Sequence, residues 1–511
     1  MNAADLLSQR ARLTPNREAL VELHTGRRFT YAELNARANR LANLMHTRLG
    51  VGKGDRVSIL AHNSVVYLDL FYGLAKIGAI FAPLNWRLTA RELSYIVMDC
   101  GPSVLVCGPE FASTLEELRP ALGGARLVRV ESAAVDGALD YEDELGQASN
   151  SEPGRPPLEG DDPYCLLYTS GTTGRPKGAI LPHRQILWNC ISTIASWGVN
   201  ERDTSPVLTP LFHAGGLFAF LTPLLYAGGR IILARVFDAE ASLRAIVDES
   251  CTVVLGVPTL FQLWINTPFF AQADFSRVRF WINGGAVMPM PLMRAWQLAK
   301  GGVFRQGYGL TEVGPNCFSM TDAESTLKAG SVGKPIFHTE MRLIDPATGR
   351  EAEVGSPGEL LIRGPHVCAG YWRNPAATAE AIREGWFHTG DMARMDEDGF
   401  YTIVGRFKDM LKSGGENVYA AEVETVFRDH PAVADAALIG QPDEKWGEVG
   451  LVVAILKPGQ NATELELLDF CVGKLARFKI PRRVVIAQTL PYTPYGKVEK
   501  RKLRDLYINQ V

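Results

Sequence analysis

Paired cysteines are missing from this chain: its 8 cysteines are scattered, with no C-x-x-C pair and no His/Cys cluster at zinc-ligand spacing. The spacing excludes a disulfide framework and a zinc finger, and it points to reduced, buried thiols in a reducing compartment. Charge of one sign is missing too. Against 56 Asp and Glu stand 53 Lys and Arg, for a formal net charge of −3. No general field is available to hold nucleic acid or an anionic bilayer, so any basic surface is local. The start, Met1-Asn2-Ala3-Ala4-Asp5, lacks a basic stretch followed by an apolar core. No secretory signal is read there, and a cytoplasmic location is expected. The longest apolar stretch, 217–234, is interrupted by Pro223, Gly228, Gly229 and Arg230. It reads as buried helix, turn and strand, so no integral membrane segment is expected. Peripheral membrane contact and a homodimer are left open. No internal repeat or low-complexity tract is evident.

What remains is an ordinary globular composition, 46% hydrophobic and 21% charged over 511 residues, too long for one compact core. Thr30-Tyr31-Ala32-Glu33 is a capping box, and Leu34, Ala38, Leu41 and Leu44 follow at helical spacing. Strand-like runs at 56–60, 103–107, 230–234, 252–255 and 279–282 alternate with helical segments. That alternation predicts an α/β fold with largely parallel sheets. Residues 149–163 read as an exposed connection. From 339 to 405, short runs at 341–344, 359–362 and 401–404, separated by turn residues, predict an antiparallel β subdomain. Beyond Arg406, a helix at 420–427, strands at 433–439 and 449–456 and a helix at 464–475 predict a small α+β unit.

The segment Tyr168-Thr169-Ser170-Gly171-Thr172-Thr173-Gly174-Arg175-Pro176-Lys177-Gly178 joins hydroxyls, unhindered backbone amides and one ammonium. Such a loop suits polyphosphate: glycines admit an anion close to the backbone, hydroxyls donate, and Lys177 supplies charge. It is not a Walker A loop, because Pro176 precedes the lysine and Gly178 stands where Ser or Thr should follow. The bland reading is a polar surface turn.

Read with the rest of the chain, the loop resembles the signature of the adenylate-forming superfamily of acyl-CoA synthetases, nonribosomal adenylation domains and luciferases. Gln306-Gly307-Tyr308-Gly309-Leu310-Thr311-Glu312 resembles the family's adenine and magnesium motif. Thr389-Gly390-Asp391 resembles its ribose motif, 405–409 and 412–419 its hinge and thiol-side loop, and 491–497 the motif of its catalytic lysine. These stand in the family's order across nearly the whole chain. The resemblance implies a large ATP- and acyl-binding domain, 1–406, and a mobile C-terminal domain, 407–511, hinged near 407–410.

The resemblance also implies the site. Lys497 would bridge the substrate carboxylate and the α-phosphate; alone, a lysine between Gly496 and Val498 reads as a solvated surface residue. Glu312 and Thr169 would hold Mg²⁺, a hard ion that takes one or two protein oxygens beside a nucleotide; without metal, Glu312 is a carboxylate at a helix start. Ser170, Gly171, Thr172, Thr173, Gly174 and Lys177 would line ATP, as would Gly307, Gly309 and Thr311. Gly284, Gly285 and Ala286 would wall the adenine and Tyr308 would stack on it. Asp391 would accept from the ribose hydroxyls beside Arg406; outside the motif, 389–391 is an ordinary turn. His213 matches an aromatic position between acyl site and thiol tunnel, although a lone His beside Phe212 is ordinarily a satisfied core residue. Ser413, Gly414, Gly415 and Lys479 fall on the CoA side, and Lys408 at the hinge.

The motif at 414–419 is most similar to the fatty- and aryl-acid CoA ligases, and no carrier-protein module is read after Lys497. The expected activity is therefore AMP-forming ligation of a carboxylic acid to CoA, with ATP and Mg²⁺. The candidate acyl pocket, Trp188, Gly215, Gly216, Thr259, Gly309, Val313 and Gly314, is apolar with small residues. It suits an uncharged medium or long aliphatic chain or an aryl ring, and packing decides which. The alternatives are a stand-alone adenylating enzyme serving a separate carrier and a non-catalytic nucleotide-binding relative.

Overall fold

The computed structural model describes residues 3–131, 135–169, 175–285, 288–413, 416–492 and 498–508. Its largest sheet has seven strands in the order Leu139–Asp140, Arg126–Arg129, Val104–Cys107, Arg56–Leu60, Ile80–Pro83, Pro163–Thr169 and Lys177–Pro182. All neighbours are parallel except the last pair, an antiparallel hairpin in which Thr169 lies opposite Lys177. Val104–Cys107 is buried throughout, as expected of a parallel strand covered on both faces. The helix Tyr31–Asn43 starts on the expected capping box: Thr30 and Glu33 satisfy each other's backbone N–H.

A four-stranded sheet, Thr204–Val207, Arg230–Leu233, Glu18–Glu22 and Arg28–Thr30, and a three-stranded parallel sheet, Val253–Gly256, Phe280–Asn283 and Phe304–Gln306, complete the α/β region. Around the second sheet, Phe261, Trp264, Trp281 and Trp296 form a separate aromatic core. The stretch read as helix, turn and strand divides into the helices Ala214–Leu217 and Leu221–Ala227 and the strand Arg230–Leu233. No helix among the described residues is long and apolar enough to cross a membrane. All eight cysteines are buried and unpaired with one another.

The antiparallel subdomain has five strands: Glu340–Ile344, Gly358–Arg363, Trp386–Met395, Ile382–Arg383 and Tyr401–Arg406. Its longest strand carries the expected ribose motif, 389–391, which would otherwise read as an ordinary turn. Partner residues Glu359 and Leu361 face Met392 and His388, so 389–391 all lie opposite the single residue Leu360. Gly390, at φ 68°, makes this bulge affordable in backbone strain.

Beyond it, a second five-stranded sheet combines Glu416–Val418, Leu411–Ser413, Gly447–Leu456, Val433–Asp443 and Arg483–Ala487. Two cores cover its faces, one around Val423, Phe427 and Leu467 and one around Leu451, Leu490 and Leu503. The helix expected at 464–475 is shorter, Glu464–Phe470, and the chain turns at Gly473 with φ 78°.

Candidate active site

The hairpin Pro163–Thr169 and Lys177–Pro182 delivers Thr169 and Lys177 to one end of the large sheet. Ser170, Gly171, Thr172, Thr173 and Gly174, which connect them, lie outside the described residues. After the strand Phe304–Gln306, the loop through Gly307 and Tyr308 makes a tight turn at Thr311–Val313 that carries Glu312. Thr169 Oγ1 is 3.5 Å from Glu312 Oε1. Their oxygens are the hard donors that Mg²⁺ takes beside a nucleotide, so the residue types and their closeness fit that ion.

The bulge turns Asp391 inward. Its N–H donates to Thr389 Oγ1, whose hydroxyl donates to the carbonyl of Leu360 at 2.7 Å. The Asp391 carboxylate accepts from the Tyr308 hydroxyl at 2.7 Å and from Arg406 Nε at 2.9 Å. Arg406 lies directly opposite Asp391 across the strand pair, and that carboxylate raises the guanidinium's pKa. Each carboxylate oxygen retains lone-pair capacity for a further donor.

Gly284 and Gly285 follow the strand Phe280–Asn283, Gly285 at φ 76°, while Ala286 lies outside the described residues. His213 caps the short helix Ala214–Leu217: its Nδ1 accepts from Gly215 N–H at 3.2 Å. With Nδ1 an acceptor, the ring proton sits on Nε2. Gly215 has room for a Cβ, whose nearest neighbour would be His213 Nδ1 at 3.5 Å. Gly216 has none, since a Cβ would stand 2.3 Å from the Pro210 carbonyl oxygen. A small cavity beside these glycines is lined by Val207, Leu208, Phe220, Leu221 and Leu255 among others, with no charged side chain.

The other five members of the expected acyl pocket have these surroundings. Val313, in the turn Thr311–Val313, packs in the antiparallel subdomain's core with Phe318, Leu360 and Phe387. Gly309 carries no side chain because its Cβ site lies 2.2 Å from the Gly314 carbonyl oxygen, and Gly314 itself has φ 82°. Thr259 is exposed in the first turn of Pro258–Ile265, and Trp188 meets His338 edge-on at 4.7 Å.

On the small sheet, Ser413 pairs with Glu416 and with Gly447; Gly414 and Gly415 lie outside the described residues. Lys479 is paired with Glu422 at 2.8 Å, so the ammonium that the resemblance assigns to CoA already has a carboxylate partner. Lys408, in the turn Phe407–Asp409, has its pKa lowered by burial and then by Arg406. Lys497 lies outside the described residues; on either side, Tyr492 and Val498 pair, and Tyr492 donates to Asp435 at 2.7 Å.

Sequence reasoning missed several residues here. Gln185, on the helix His183–Trp197, donates to the Thr311 carbonyl, and His366 donates through Nδ1 to the Val313 carbonyl at 2.7 Å, bracketing Glu312. The Tyr371 hydroxyl donates to Glu312 Oε1 at 2.9 Å. Trp446, beside Gly447 opposite Ser413, and Phe478, in the turn Arg477–Lys479 that packs on Glu416–Val418, are both exposed, each with a lysine ammonium over its ring. None of these was signalled in the sequence, because each meets a segment far from it in the chain.

Comparison with known proteins agrees with this geometry. The family model described as AMP-binding enzyme matches residues 7–372, and that of the AMP-binding enzyme C-terminal domain matches 422–497. The chain is 41% identical over 496 residues to a feruloyl-CoA synthase of an Amycolatopsis species, covering 97% of each. It is 36% identical over 507 residues to a long-chain-fatty-acid–CoA ligase of Mycobacterium tuberculosis, covering 99% of this chain and 98% of the relative. A solved anthranilate CoA ligase in complex with anthranoyl-AMP matches with a TM-score of 0.90 at 29% identity, covering 100% of this chain and 98% of that one.

Proposed function

Because the chain belongs to the AMP-binding enzyme family, in its acyl-CoA synthetase branch, it is an AMP-forming acid–CoA ligase, and we propose that its acid is an uncharged aryl carboxylic acid. The observation that carries the assignment of roles is the convergence of Thr169, Lys177, Glu312, Asp391 and Arg406 from separate segments, through the contacts of Tyr308 and Tyr371.

A carboxylate is a poor electrophile because its leaving group would be oxide. Its oxygen therefore attacks the α-phosphorus of ATP, pyrophosphate leaves, and the acyl-AMP anhydride then loses AMP to the thiol of CoA. The first step crowds anions together, which cations and aimed donors must offset. Asp391 receives the ribose hydroxyls, and Lys177 faces the phosphates. Glu312 and Thr169 would hold Mg²⁺, which would supply neutralisation of phosphate charge. His213 presents its Nε2 proton toward the acid, and Lys497 supplies the positive group at the reacting carboxylate. Ser413, with Trp446 and Phe478 beside it, serves the thiol side, aromatic faces and ammonium groups being suited to a nucleotide. A cytoplasmic enzyme fits its reduced, buried thiols.

Two half-reactions then need one cleft. Lys497 and the Ser413 hairpin both belong to the region after 407, and residues 373–421, between the two family matches, include the hinge proposed at 407–410. The aryl reading is supported by the feruloyl-CoA synthase, the more similar of the two relatives, and the uncharged lining beside Gly215 suits an uncharged tail of either kind.

Acid-dependent exchange of labelled pyrophosphate into ATP, run over a panel of cinnamic, benzoic, arylacetic and fatty acids, tests this. CoA-thioester formation is then measured with the same panel. Aryl acids should give the highest kcat/KM. Preference for medium or long fatty acids would sink the aryl reading and leave the ligase, and exchange without CoA thioester would favour transfer to a separate carrier.

A further inference from the structure

Lys177 and Glu312 come close to the same side chain, and an ammonium and a carboxylate brought near each other attract. Among the described residues they form no ion pair. The side chain they share is that of Tyr371. Its hydroxyl donates to Glu312 Oε1 at 2.9 Å, and the Lys177 ammonium stands over its ring, 5.3 Å from the centroid. One side chain therefore meets the cation through its electron-rich face and the anion through its O–H.

Backbone pairing puts it there. Tyr371 bridges Ala179 on the hairpin strand Lys177–Pro182, the N–H of Ile180 donates to the Gly370 carbonyl, and the N–H of Trp372 donates to the Gly178 carbonyl. The segment thus lies against the strand that carries Lys177. Gly370, at φ 114°, packs so tightly on Thr378 that a Cβ would stand 2.4 Å from its methyl group, and the Tyr371 N–H donates to the Thr378 hydroxyl at 2.9 Å. On the other side, the Cys368 N–H donates to the Glu312 carbonyl at 2.7 Å, tying the same segment to the turn carrying the carboxylate. Tyr371 is fixed to both neighbours by main chain, which sets where its side chain departs from the backbone.

The Glu312 carboxylate is consequently held through one oxygen. Oε1 faces the Tyr371 and Thr169 hydroxyls, and among the described residues no hydrogen bond reaches Oε2. From this geometry we propose that Tyr371 is a positioning residue: it keeps Lys177 from pairing with Glu312, leaving the ammonium for phosphate and one carboxylate oxygen for a hard divalent cation. The proposal rests on the reading of Glu312 as the Mg²⁺ ligand. A direct Lys177–Glu312 pair would neutralise the two groups that the triphosphate and its metal require.

The test uses the full-length enzyme and two readouts: pyrophosphate exchange, and the rise in melting temperature caused by ATP, each as a function of Mg²⁺ concentration. Tyr371→Phe keeps the ring and removes the hydroxyl; Tyr371→Leu removes both contacts. Loss of an outer partner of a metal ligand typically weakens metal binding about 10–100-fold. Half-saturating Mg²⁺ should accordingly rise about 10-fold in Tyr371→Phe and further in Tyr371→Leu, in both readouts, while thioester formation from supplied acyl-AMP and CoA changes less than about twofold. Adding Lys177→Met to Tyr371→Leu should move half-saturating Mg²⁺ back toward wild type, because the competing cation is gone. An unchanged Mg²⁺ requirement in Tyr371→Leu, with only lower stability, overturns the proposal, as does a double variant no better than the single one. If wild-type exchange needs no Mg²⁺, or Glu312→Gln leaves that need unaltered, it is the reading of Glu312 that falls instead.

Discussion

Between Thr169 and Lys177 the first glycine-rich hairpin carries the intervening residues 170–176, whereas between Ser413 and Glu416 the second carries only 414 and 415. The first ends on the large sheet beside Glu312 and Tyr371; the second lies on the small sheet beside exposed Trp446 and Phe478. The difference follows the ligands each would face. A polyphosphate has many acceptor oxygens and needs a run of N–H and O–H donors long enough to curve around it. A slender thiol-bearing arm offers little charge and needs only close backbone, with flat faces for the nucleotide at its far end. On that reading, one motif type would serve two chemistries according to loop length and neighbours.

If the two hairpins serve separate half-reactions, changes near each should separate the half-reactions. Lys497→Ala should give the largest effect, a loss on the order of 10²–10³ in pyrophosphate exchange with thioester formation from supplied acyl-AMP retained. Equal loss in both assays would erase the contrast. Lys408→Pro, which locks φ in the hinge turn, should depress one half-reaction about tenfold more than the other in the same paired assays. On the thiol side alone, Trp446→Ala or Phe478→Ala should raise the KM for CoA by about tenfold, on a stacking contribution of roughly 1–3 kcal/mol, and leave exchange unaltered. An effect on ATP instead would move these rings to the other hairpin's ligand.

Stability measurements sharpen the contrast at the acyl side. Gly216→Ala forces a methyl against the Pro210 carbonyl oxygen and should cost about 1–3 kcal/mol in urea unfolding, while Gly215→Ala should be near neutral. Smallest at neutral pH is the effect of His183, which is fully buried, stacked on Tyr164, and pushed down by burial from 6.5 to about 4. The folded state keeps this ring neutral while the unfolded chain protonates it below about 6.5. Stability from this group is therefore complete above pH 6.5 and declines as pH falls toward 4. His183→Gln should flatten that part of the denaturation-midpoint profile.

Much of the local structure was readable because its causes are local. The Thr30 cap and Glu33, three residues apart, start their helix as expected, and the strand Arg56–Leu60 has the expected bounds. The second glycine-rich segment was read only as a loop, and the pairing of Ser413 with Glu416 shows the strands on either side of it. The strand Trp386–Met395 was not legible, since Gly390 and alternating polar residues look like a turn until Gly358–Arg363 pairs alongside. The helix after Thr463 was read too long because its apolar spacing continues past Phe470, where Gly473 leaves helical space.

By itself, then, the chain's order of residues determined the α/β class, the succession of motifs and the residue types able to handle a triphosphate, because turns, caps and glycine-rich hairpins depend on neighbours a few positions away. Only the tertiary structure decided that the Asp391 carboxylate accepts from both the Tyr308 hydroxyl and Arg406 on the neighbouring strand, that Val313 belongs to a core, and that Tyr371 meets both Lys177 and Glu312. Those placements come from strand pairing and packing between segments far apart in the chain, and no spacing within a segment encodes which distant backbone will lie beside it.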